Sequence, residues 1–255
     1  MTLTIHQFPC LSDNYGYLLH VKEAGITATV DTPDADAILR ELSFKGWRLT
    51  HILNTHHHPD HAGGNLALKE KTGCAIIGPR AEQARIPGID IRVGDGDTVD
   101  LGGHIAQVLD VPGHTAGHIA YWFKDDDVAF VGDTLFSLGC GRLFEGTPEM
   151  MWRSLSKLLV LPDTTRLYCA HEYTQSNARF ALTVEPHNQD LKRRAAEVER
   201  LRSEGKPTVP TTLGLEKATN PFLRPRSADL RTTLGLENAS DVAVFAETRA
   251  RKDRF

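Results

Sequence analysis

Short apolar runs alternate with polar, turn-forming segments along the first two thirds of the chain. Seven runs rich in β-branched or aromatic residues are typical of strands, and they are Ile26–Val30, Leu49–Asn54, Cys74–Ile77, Ile105–Val111, His118–Phe123, Val128–Val131 and Leu167–Cys169. Three stretches with apolar residues every three or four positions predict helices, at about Ala35–Lys45, Gly64–Thr72 and Pro148–Leu159. Strands and helices therefore mix, which predicts sheet layers covered by helices.

The pattern changes after His171, where the strand signals stop. Helices are predicted there at Asn188–Ser203, Ser227–Thr233 and Asp241–Lys252. Ser240 is the expected N-cap of the last of them. We therefore predict two domains, residues 1–172 with mixed strands and helices and residues 173–255 with helices alone.

Composition and charge exclude several classes of protein. The 29 Lys and Arg residues nearly balance 33 Asp and Glu residues, so no basic surface for nucleic-acid phosphates is expected. No stretch approaches the roughly 18 apolar residues of a membrane span, and Met1–Tyr15 does not resemble a signal peptide. The four cysteines form no CxxC pair, which indicates neither a disulfide framework nor a thiolate zinc site. We expect a soluble, cytoplasmic protein.

The densest cluster of chemically active residues directly follows a predicted strand. Residues 55–61 contain the pattern HxHxDH. Because alternate residues that leave a strand point to one side, His56 and His58 can converge on one cation. Asp60 and His61 can then serve a second cation. A single structural zinc needs only four ligands, usually with cysteine among them, so the cluster predicts two metal ions.

Three later residues of ligand type each lie just beyond a predicted strand, and they are His114, Asp133 and His171. His114 would join His56 and His58 to give the first cation three imidazoles, and His171 would join Asp60 and His61 at the second cation. The Asp133 carboxylate has two oxygens and is the group best suited to bridge the two cations. Zinc is the expected metal, with iron or manganese as alternatives, because His and Asp suit all three.

Each of these three residues taken singly would more often be an ordinary turn or polar residue than a ligand. Together with the cluster they have no packing explanation, because buried imidazoles and carboxylates are costly unless paired. His57 and His118 are expected to be plain neighbours of the site, with a supporting role for ligand side chains as the alternative. No GxSxG, HExxH, P-loop or GxGxxG pattern offers another active site.

Four motifs in this order resemble the metallo-β-lactamase superfamily: HxHxDH at 56–61, Pro112–Thr115, Gly132–Thr134 and Ala170–Tyr173. The resemblance covers residues 1–172 and implies an α+β fold, a four-layer αβ/βα sandwich with a smaller helical C-terminal domain. The superfamily includes lactamases, nucleases, sulfatases and thioesterases, so the fold alone does not decide the substrate. Asp133 resembles the bridging carboxylate of the thioesterase and nuclease branches, which argues against a lactamase.

Further segments resemble the glyoxalase II family of hydroxyacylglutathione hydrolases: Leu11–Tyr15, Gly139–Gly146, His171–Thr174 and Arg249–Asp253. The resemblance implies a glutathione site formed by Arg142, Phe144, Tyr173, Arg249 and Lys252. The last two would hold the glycine-end carboxylate. Arg142 and Phe144 stand where the better-known eukaryotic pattern has Lys and Tyr, which keeps the cation and removes a phenol contact. Without the resemblance, the basic tail would be a solvated face at a helix C-terminus.

The resemblance implies hydrolysis of S-D-lactoylglutathione to glutathione and D-lactate, the second step of methylglyoxal detoxification. A hydroxide that bridges two cations stays ionised near neutral pH and can attack the thioester carbonyl, with Asp60 and Asp133 in the catalytic set. The alternatives are another thioesterase of this fold, an RNA or phosphodiester nuclease, or a closed metal-binding module. The expected partner is a small-molecule glutathione thioester, with no nucleic acid and no membrane, and the chain is expected to be a monomer.

Overall fold

A computed structural model describes residues 2–255 of the chain, which form two compact units. The first unit runs to Asp110 and continues over Ala116–Gly132, and the second contains Val111–Thr115 and Asp133–Phe255. This division by compactness differs from the domain boundary expected near residue 172, because residues 133–171 group with the C-terminal helices. Over residues 2–255, no helix is both long enough and apolar enough to cross a membrane.

Six strands form the first sheet of the first unit, in the order in which they follow one another along the chain. They are β1 (Leu3–Cys10), β2 (Asn14–Val21), β3 (Ile26–Val30), β4 (His51–Leu53), β5 (Ala75–Pro79) and β6 (Ile91–Val93). The first three pair antiparallel, whereas β3 to β6 run parallel. Parallel neighbours need crossover connections, and α1 (Ala35–Lys45) and α3 (Asn65–Thr72) lie in two of them.

Helix α1 covers one face of this sheet. The Asp34 carboxylate accepts a hydrogen bond from the Ala37 N–H, and Gly46 ends the helix in the left-handed conformation, as expected of an N-cap and a terminal glycine. The buried side chains of Ile38 and Leu42 belong to one core cluster with sheet residues such as Leu18. The apolar face of the helix therefore drives its packing on the sheet.

The first unit contains four further strands, which are β7 (Thr98–Leu101), β8 (His104–Asp110), β9 (Ile119–Phe123) and β10 (Val128–Gly132). They form an antiparallel meander. Tyr17 of β2 packs edge-on against Phe130 of β10, with ring centroids 5.4 Å apart. The first sheet is thus covered by helices on one face and by these strands on the other, which explains why β2 is buried along almost its whole length.

The second unit is mainly helical. Its helices are α4 (Pro148–Leu158), α5 (Thr174–Val184), α6 (Gln189–Ser203), α7 (Leu213–Thr219), α8 (Ala228–Leu234) and α9 (Asp241–Arg254). Its strands are the hairpin β11 (Leu135–Phe136) and β12 (Gly139–Cys140), and the antiparallel pair β13 (Arg166–Cys169) and β14 (Thr211–Thr212). The short helix α2 (Pro59–Ala62) completes the elements of the first unit.

All six predicted helices are present, each within two residues of its expected bounds. The N-cap role of Ser240 is confirmed, since its hydroxyl accepts a hydrogen bond from the Ala243 N–H. The expectation that strands stop after His171 is wrong, because β14 pairs with β13. Strands β1 and β2 were not predicted from the sequence either. Strand β1 is half exposed and contains Pro9, so its apolar pattern is weak, as is common for an edge strand.

Candidate metal centre

The HxHxDH segment leaves β4 and enters α2, which begins at Pro59. His56 is fully buried and His58 is partly buried. The His56 Nε2 atom lies 3.0 Å from His58 Nδ1. Two imidazole nitrogens that approach each other this closely are directed at one point, as two ligands of one cation are.

His61 is oriented by a carboxylate on its other side. Its Nδ1 lies 2.8 Å from Asp31 Oδ2, and its Nε2 lies 3.5 Å from Asp60 Oδ2. Asn14 donates a hydrogen bond to the same Asp60 oxygen over 3.2 Å. Because an ionised carboxylate only accepts hydrogen bonds, Asp31 places the ring proton on Nδ1 and leaves Nε2 with its lone pair.

Asp31 is a residue of this site that the sequence analysis missed. It follows β3 with a positive φ of 57°. It also accepts hydrogen bonds from the backbone N–H and the hydroxyl of Thr55, at 2.7 and 2.8 Å. The available signal was an acidic residue just beyond a predicted strand, which is the placement that singled out Asp133.

The second unit brings together the three later candidates. His114 Nε2 lies 3.3 Å and His171 Nε2 lies 3.5 Å from the same oxygen, Asp133 Oδ2. The His114 Nδ1 donates to the carbonyl oxygen of Arg142 over 2.9 Å, which again directs Nε2 inward. Gly141 permits this close packing, because a Cβ there would overlap the Asp133 carbonyl oxygen.

Ligand atoms of three groups of these residues lie within 4.8 Å of one another. The groups are His56, His58 and His114; His56, His61 and Asp133; and Asp60, His61 and His171. All the donors are imidazole nitrogens or carboxylate oxygens, the set expected for divalent Zn, Fe or Mn. Most of them are buried, where uncompensated carboxylates would be costly. The donor set therefore fits divalent cations.

His57 and His118, the two histidines expected to be neighbours of the site, differ in their surroundings. His57 is held by a carboxylate, since both its backbone N–H and its Nδ1 lie 2.8 Å from the buried Glu82 Oε2, and its ring meets that of His58 edge-on with centroids 4.9 Å apart. His118 is fully buried, and its ring stacks on that of His56 with centroids 4.6 Å apart. The Glu82 carboxylate was not anticipated. His118 therefore packs against a candidate ligand, a closer association than that of a plain neighbour.

A cavity of about 320 Å³ opens in the second unit. It is lined by Phe136, Cys140, Arg142, Tyr173, Ser176, Asn177, Arg249, Lys252 and Asp253. Four of the five residues expected to contact glutathione therefore share one cavity. Phe144 does not line it. The Phe144 ring lies beneath the Arg142 guanidinium, 5.7 Å from its carbon, and is largely exposed.

The cations of this cavity have protein partners of their own. Arg249 is buried, donates to the Cys140 carbonyl oxygen over 2.8 Å and lies 2.9 Å from the Asp253 carboxylate. Lys252 Nζ lies 3.1 Å from the Ser176 hydroxyl. Burial, reinforced by Arg249, lowers the pKa of Lys252, although Asp253 opposes the shift. Asp253 also lies 3.7 Å from Arg142, so one carboxylate links the guanidinium groups of Arg142 and Arg249.

Two family models together match almost the entire chain. The Metallo-beta-lactamase superfamily model matches residues 23–171, and the Hydroxyacylglutathione hydrolase C-terminus model matches residues 172–255. The hydroxyacylglutathione hydrolase of Maricaulis maris is 59% identical to this chain over 253 residues, covering 99% of each protein. That of Methylococcus capsulatus is 57% identical, with the same coverage.

Solved structures show the same fold. The crystal structure of ETHE1 from Myxococcus xanthus superimposes with a TM-score of 0.67 at 26% identity, covering 99% of this chain and 98% of that one. The BLEG-1 B3 metallo-β-lactamase gives a TM-score of 0.66 at 22% identity, covering 86% and 99%. The expected fold class, the metallo-β-lactamase sandwich with a helical C-terminal region, is thereby confirmed.

Proposed function

The chain belongs to the hydroxyacylglutathione hydrolase family of the metallo-β-lactamase superfamily, and on that premise we propose that it hydrolyses S-D-lactoylglutathione to glutathione and D-lactate. The observation that carries the proposal lies within the second unit. Tyr173, which lines the cationic cavity, stacks on His171 with ring centroids 4.7 Å apart. Phe136, also in the lining, packs edge-on against the same histidine at 5.9 Å. A site for an anionic substrate therefore adjoins a candidate metal ligand.

Charge supports an anionic substrate. The second unit carries 19 Lys and Arg against 16 Asp and Glu, whereas the first carries 10 against 17. Glutathione has two carboxylates, and Arg142, Arg249 and Lys252 line the cavity together. Cations directed at carboxylates give charge-assisted hydrogen bonds. The unit that is expected to bind the tripeptide is thus the net positive one.

The proposed ligand assignment gives each of two divalent cations a set of side chains. His56, His58 and His114 would hold the first cation, and Asp60, His61 and His171 the second, with Asp133 as the bridge. Zinc is the proposed metal, with iron or manganese as alternatives. When bound, such ions supply Lewis-acid activation of water and of the thioester carbonyl. The close groups of ligand atoms and the inward-directed Nε2 atoms support this assignment.

The protein's own contribution is binding and orientation. The cavity residues would hold the tripeptide away from the reacting bond, and Tyr173 would place it beside His171. Water adds to the carbonyl carbon, the carbon–sulfur bond breaks, and the sulfur leaves as a thiolate. The thiol has a pKa of roughly 8.5, so the leaving group scarcely needs protonation. This fits a site built without a dedicated general acid.

Other properties of the protein follow from the same proposal. We propose residues 1–172 as the hydrolase domain and residues 173–255 as the glutathione-binding domain. The chain would act as a monomer in the cytoplasm on a small-molecule thioester. All four cysteines are buried and none forms a disulfide, which suits a reducing compartment. Burial raises the pKa of the Cys140 thiol to about 11, so this thiol in the cavity wall stays neutral and unreactive.

A substrate panel tests the function. Purified protein should release thiol from S-D-lactoylglutathione far faster than it cleaves a short thioester without the tripeptide, a lactam or a phosphodiester. The same preparation should contain close to two transition-metal ions per chain and lose activity on chelation. Preferential cleavage of the phosphodiester would favour the nuclease alternative. Full activity with at most one metal ion would contradict the two-metal assignment.

Asp31→Asn is expected to weaken metal binding about tenfold, the lower end of the range for residues that orient metal-ligating histidines. The amide no longer holds the His61 proton on Nδ1 as firmly as the carboxylate does. Metal content after dialysis against a graded chelator series measures the effect independently of turnover. Asp126→Asn is the matched control, because its carboxylate also accepts from a histidine Nδ1, that of His104, at 2.9 Å. Equal metal retention in both variants would remove Asp31 from the site.

A further inference from the structure

We propose that the buried carboxylate of Glu216 positions the wall of the substrate cavity by fixing the turn of the β11–β12 hairpin. The hairpin carries Phe136 and Cys140 of the cavity lining, and Arg142 follows it directly. Glu216 lies on α7, and its carboxylate accepts hydrogen bonds from Ser137, Leu138, Thr211 and Asn220, none of which is a proposed metal ligand. The inference rests on the proposed function in that it assigns the positioned cavity to glutathione.

The hairpin is too small to hold its own shape. Each of its strands has two residues, and only two residue pairs face each other across it. A two-stranded hairpin of this size is marginal in water. Its turn also places Leu138, which is not a glycine, at a positive φ of 58°, a conformation that costs free energy for such a residue. Other parts of the chain must therefore stabilise the turn.

Glu216 supplies much of that support. Its side chain is fully buried, and its Oε2 accepts hydrogen bonds from the Leu138 N–H at 2.8 Å and from Asn220 Nδ2 at 3.0 Å. Its Oε1 accepts from the hydroxyls of Ser137 and Thr211, at 3.1 and 2.7 Å. Both oxygens of the carboxylate are thus used. Burial raises the pKa of Glu216, and the hydrogen bonds from Thr211, Leu138 and Asn220 oppose that rise.

Two asparagines hold the carbonyl groups of the same turn. Asn220 Nδ2 donates to the carbonyl oxygens of Phe136 and Gly139, at 3.1 and 3.0 Å. Asn177 Nδ2 donates to the Ser137 carbonyl oxygen at 3.1 Å. A Cβ at Gly139 would overlap the Asn177 amide, so the glycine is needed for this approach. Each residue from Phe136 to Gly139 is thus hydrogen-bonded by Glu216, by Asn177 or by Asn220, which directly follows α7, and Glu216 orients Asn220 as well.

Displacement of the turn would move the cavity. The Cys140 carbonyl oxygen anchors the Arg249 guanidinium at 2.8 Å, and Phe136 packs edge-on against Tyr173 with centroids 5.3 Å apart. Both contacts shape the part of the cavity that would hold the tripeptide rather than the reacting bond. Contacts of that kind are made equally in the ground and transition states, so their loss raises KM more than it lowers kcat.

Glu216→Ala is expected to raise KM for S-D-lactoylglutathione about tenfold or more and to weaken glutathione binding in calorimetry by the same factor, with kcat within about threefold of the parent. Glu216→Gln should restore most of the affinity. Its amide oxygen can accept from Leu138 and Asn220 while its NH₂ donates to the two hydroxyls. The isosteric variant separates positioning from a simple loss of packing.

Glu185 provides the matched control. It is equally buried in the same unit, where it pairs with Arg224 at 3.0 Å and accepts from Ser227, away from the hairpin. Glu185→Ala should lower the melting temperature to a similar degree and leave KM and glutathione affinity unchanged. If Glu216→Ala does not fold, the same comparison is made between Glu216→Gln and Glu185→Gln, with about a threefold loss of glutathione affinity expected for the former alone.

Unchanged KM and glutathione affinity in Glu216→Ala, or in Glu216→Gln where the alanine variant does not fold, would overturn the inference, as would an equal loss in the matching Glu185 variant. The proposed function fails in a different way. A parent enzyme that is inactive on the glutathione thioester would refute the function, and calorimetric binding of glutathione to the parent and variants would still decide whether Glu216 positions the cavity.

Discussion

Asp133→Ala is expected to lower kcat/KM for S-D-lactoylglutathione by at least about a hundredfold, because metal assistance of this kind contributes several kcal/mol to the transition state. One Asp133 oxygen lies within 3.5 Å of the Nε2 atoms of both His114 and His171. Bound metal should fall in parallel. Steady-state kinetics and metal analysis on one preparation measure both effects.

Two adjacent histidines give the control for this prediction. His58→Ala should lose metal and turnover severely, whereas His57→Ala should retain nearly two metal ions and most of the activity, because the His57 Nδ1 is engaged by the Glu82 carboxylate and His57 belongs to none of the three ligand groups. Retention of metal and turnover by Asp133→Ala would remove the proposed bridge. If His57 proved as essential as His58, the ligand assignment would be wrong.

The double substitution of Arg249 and Lys252 by alanine is expected to raise KM for the glutathione thioester by about tenfold to a hundredfold, with kcat nearly unchanged. The charge-assisted contact of the two cations with one substrate carboxylate is worth roughly 1.5–3 kcal/mol, and a contact far from the reacting carbonyl is made equally before and in the transition state. Because Arg249 also anchors Cys140, the single Lys252→Ala variant isolates the substrate contact. Its KM should rise by about tenfold.

Arg251→Ala is the matched control on the same helix. Its guanidinium binds Glu247 at 2.9 Å and does not line the cavity, so KM should be unchanged. A short thioester without the tripeptide should be hydrolysed equally by all variants. Equal KM values for Lys252→Ala and the parent on the glutathione substrate would mean that the basic residues at the end of α9 form a solvated face and do not bind the substrate.

The Lys252 variant also has a pH signature. Burial and Arg249 lower the pKa of Lys252 below its ordinary value of 10.5, and Asp253 only partly offsets this. The lysine therefore loses its charge at a lower pH than an exposed lysine as the pH rises. KM should increase over that alkaline range in the parent. Lys252→Arg, whose guanidinium stays protonated, should flatten the increase.

Elements that depend on local rules could be predicted from the sequence. The N-cap carboxylate of Asp34 and the C-terminal Gly46 define α1 within the chain itself, and the HxHxDH pattern directly follows the predicted strand Leu49–Asn54. His114 and Asp133 follow strands that end at the same edge, because β8 and β10 each run antiparallel to β9. The cationic residues of the substrate site were predicted only from the family resemblance. That Arg142, Arg249 and Lys252 line one cavity is shown by the tertiary structure.

Residues that act through partners distant in sequence were decided only by the tertiary structure. Asp31 lies 30 positions from His61, and Leu138 lies 78 positions from Glu216. An isolated Asp after a strand or a Glu in a short helix carries no periodicity or motif that identifies its partner. Its role arises when folding removes it from water, because a buried carboxylate must then be paired with donors. The sequence by itself determined which side chains could bind metal, and the packing of the chain decided which other side chains orient them.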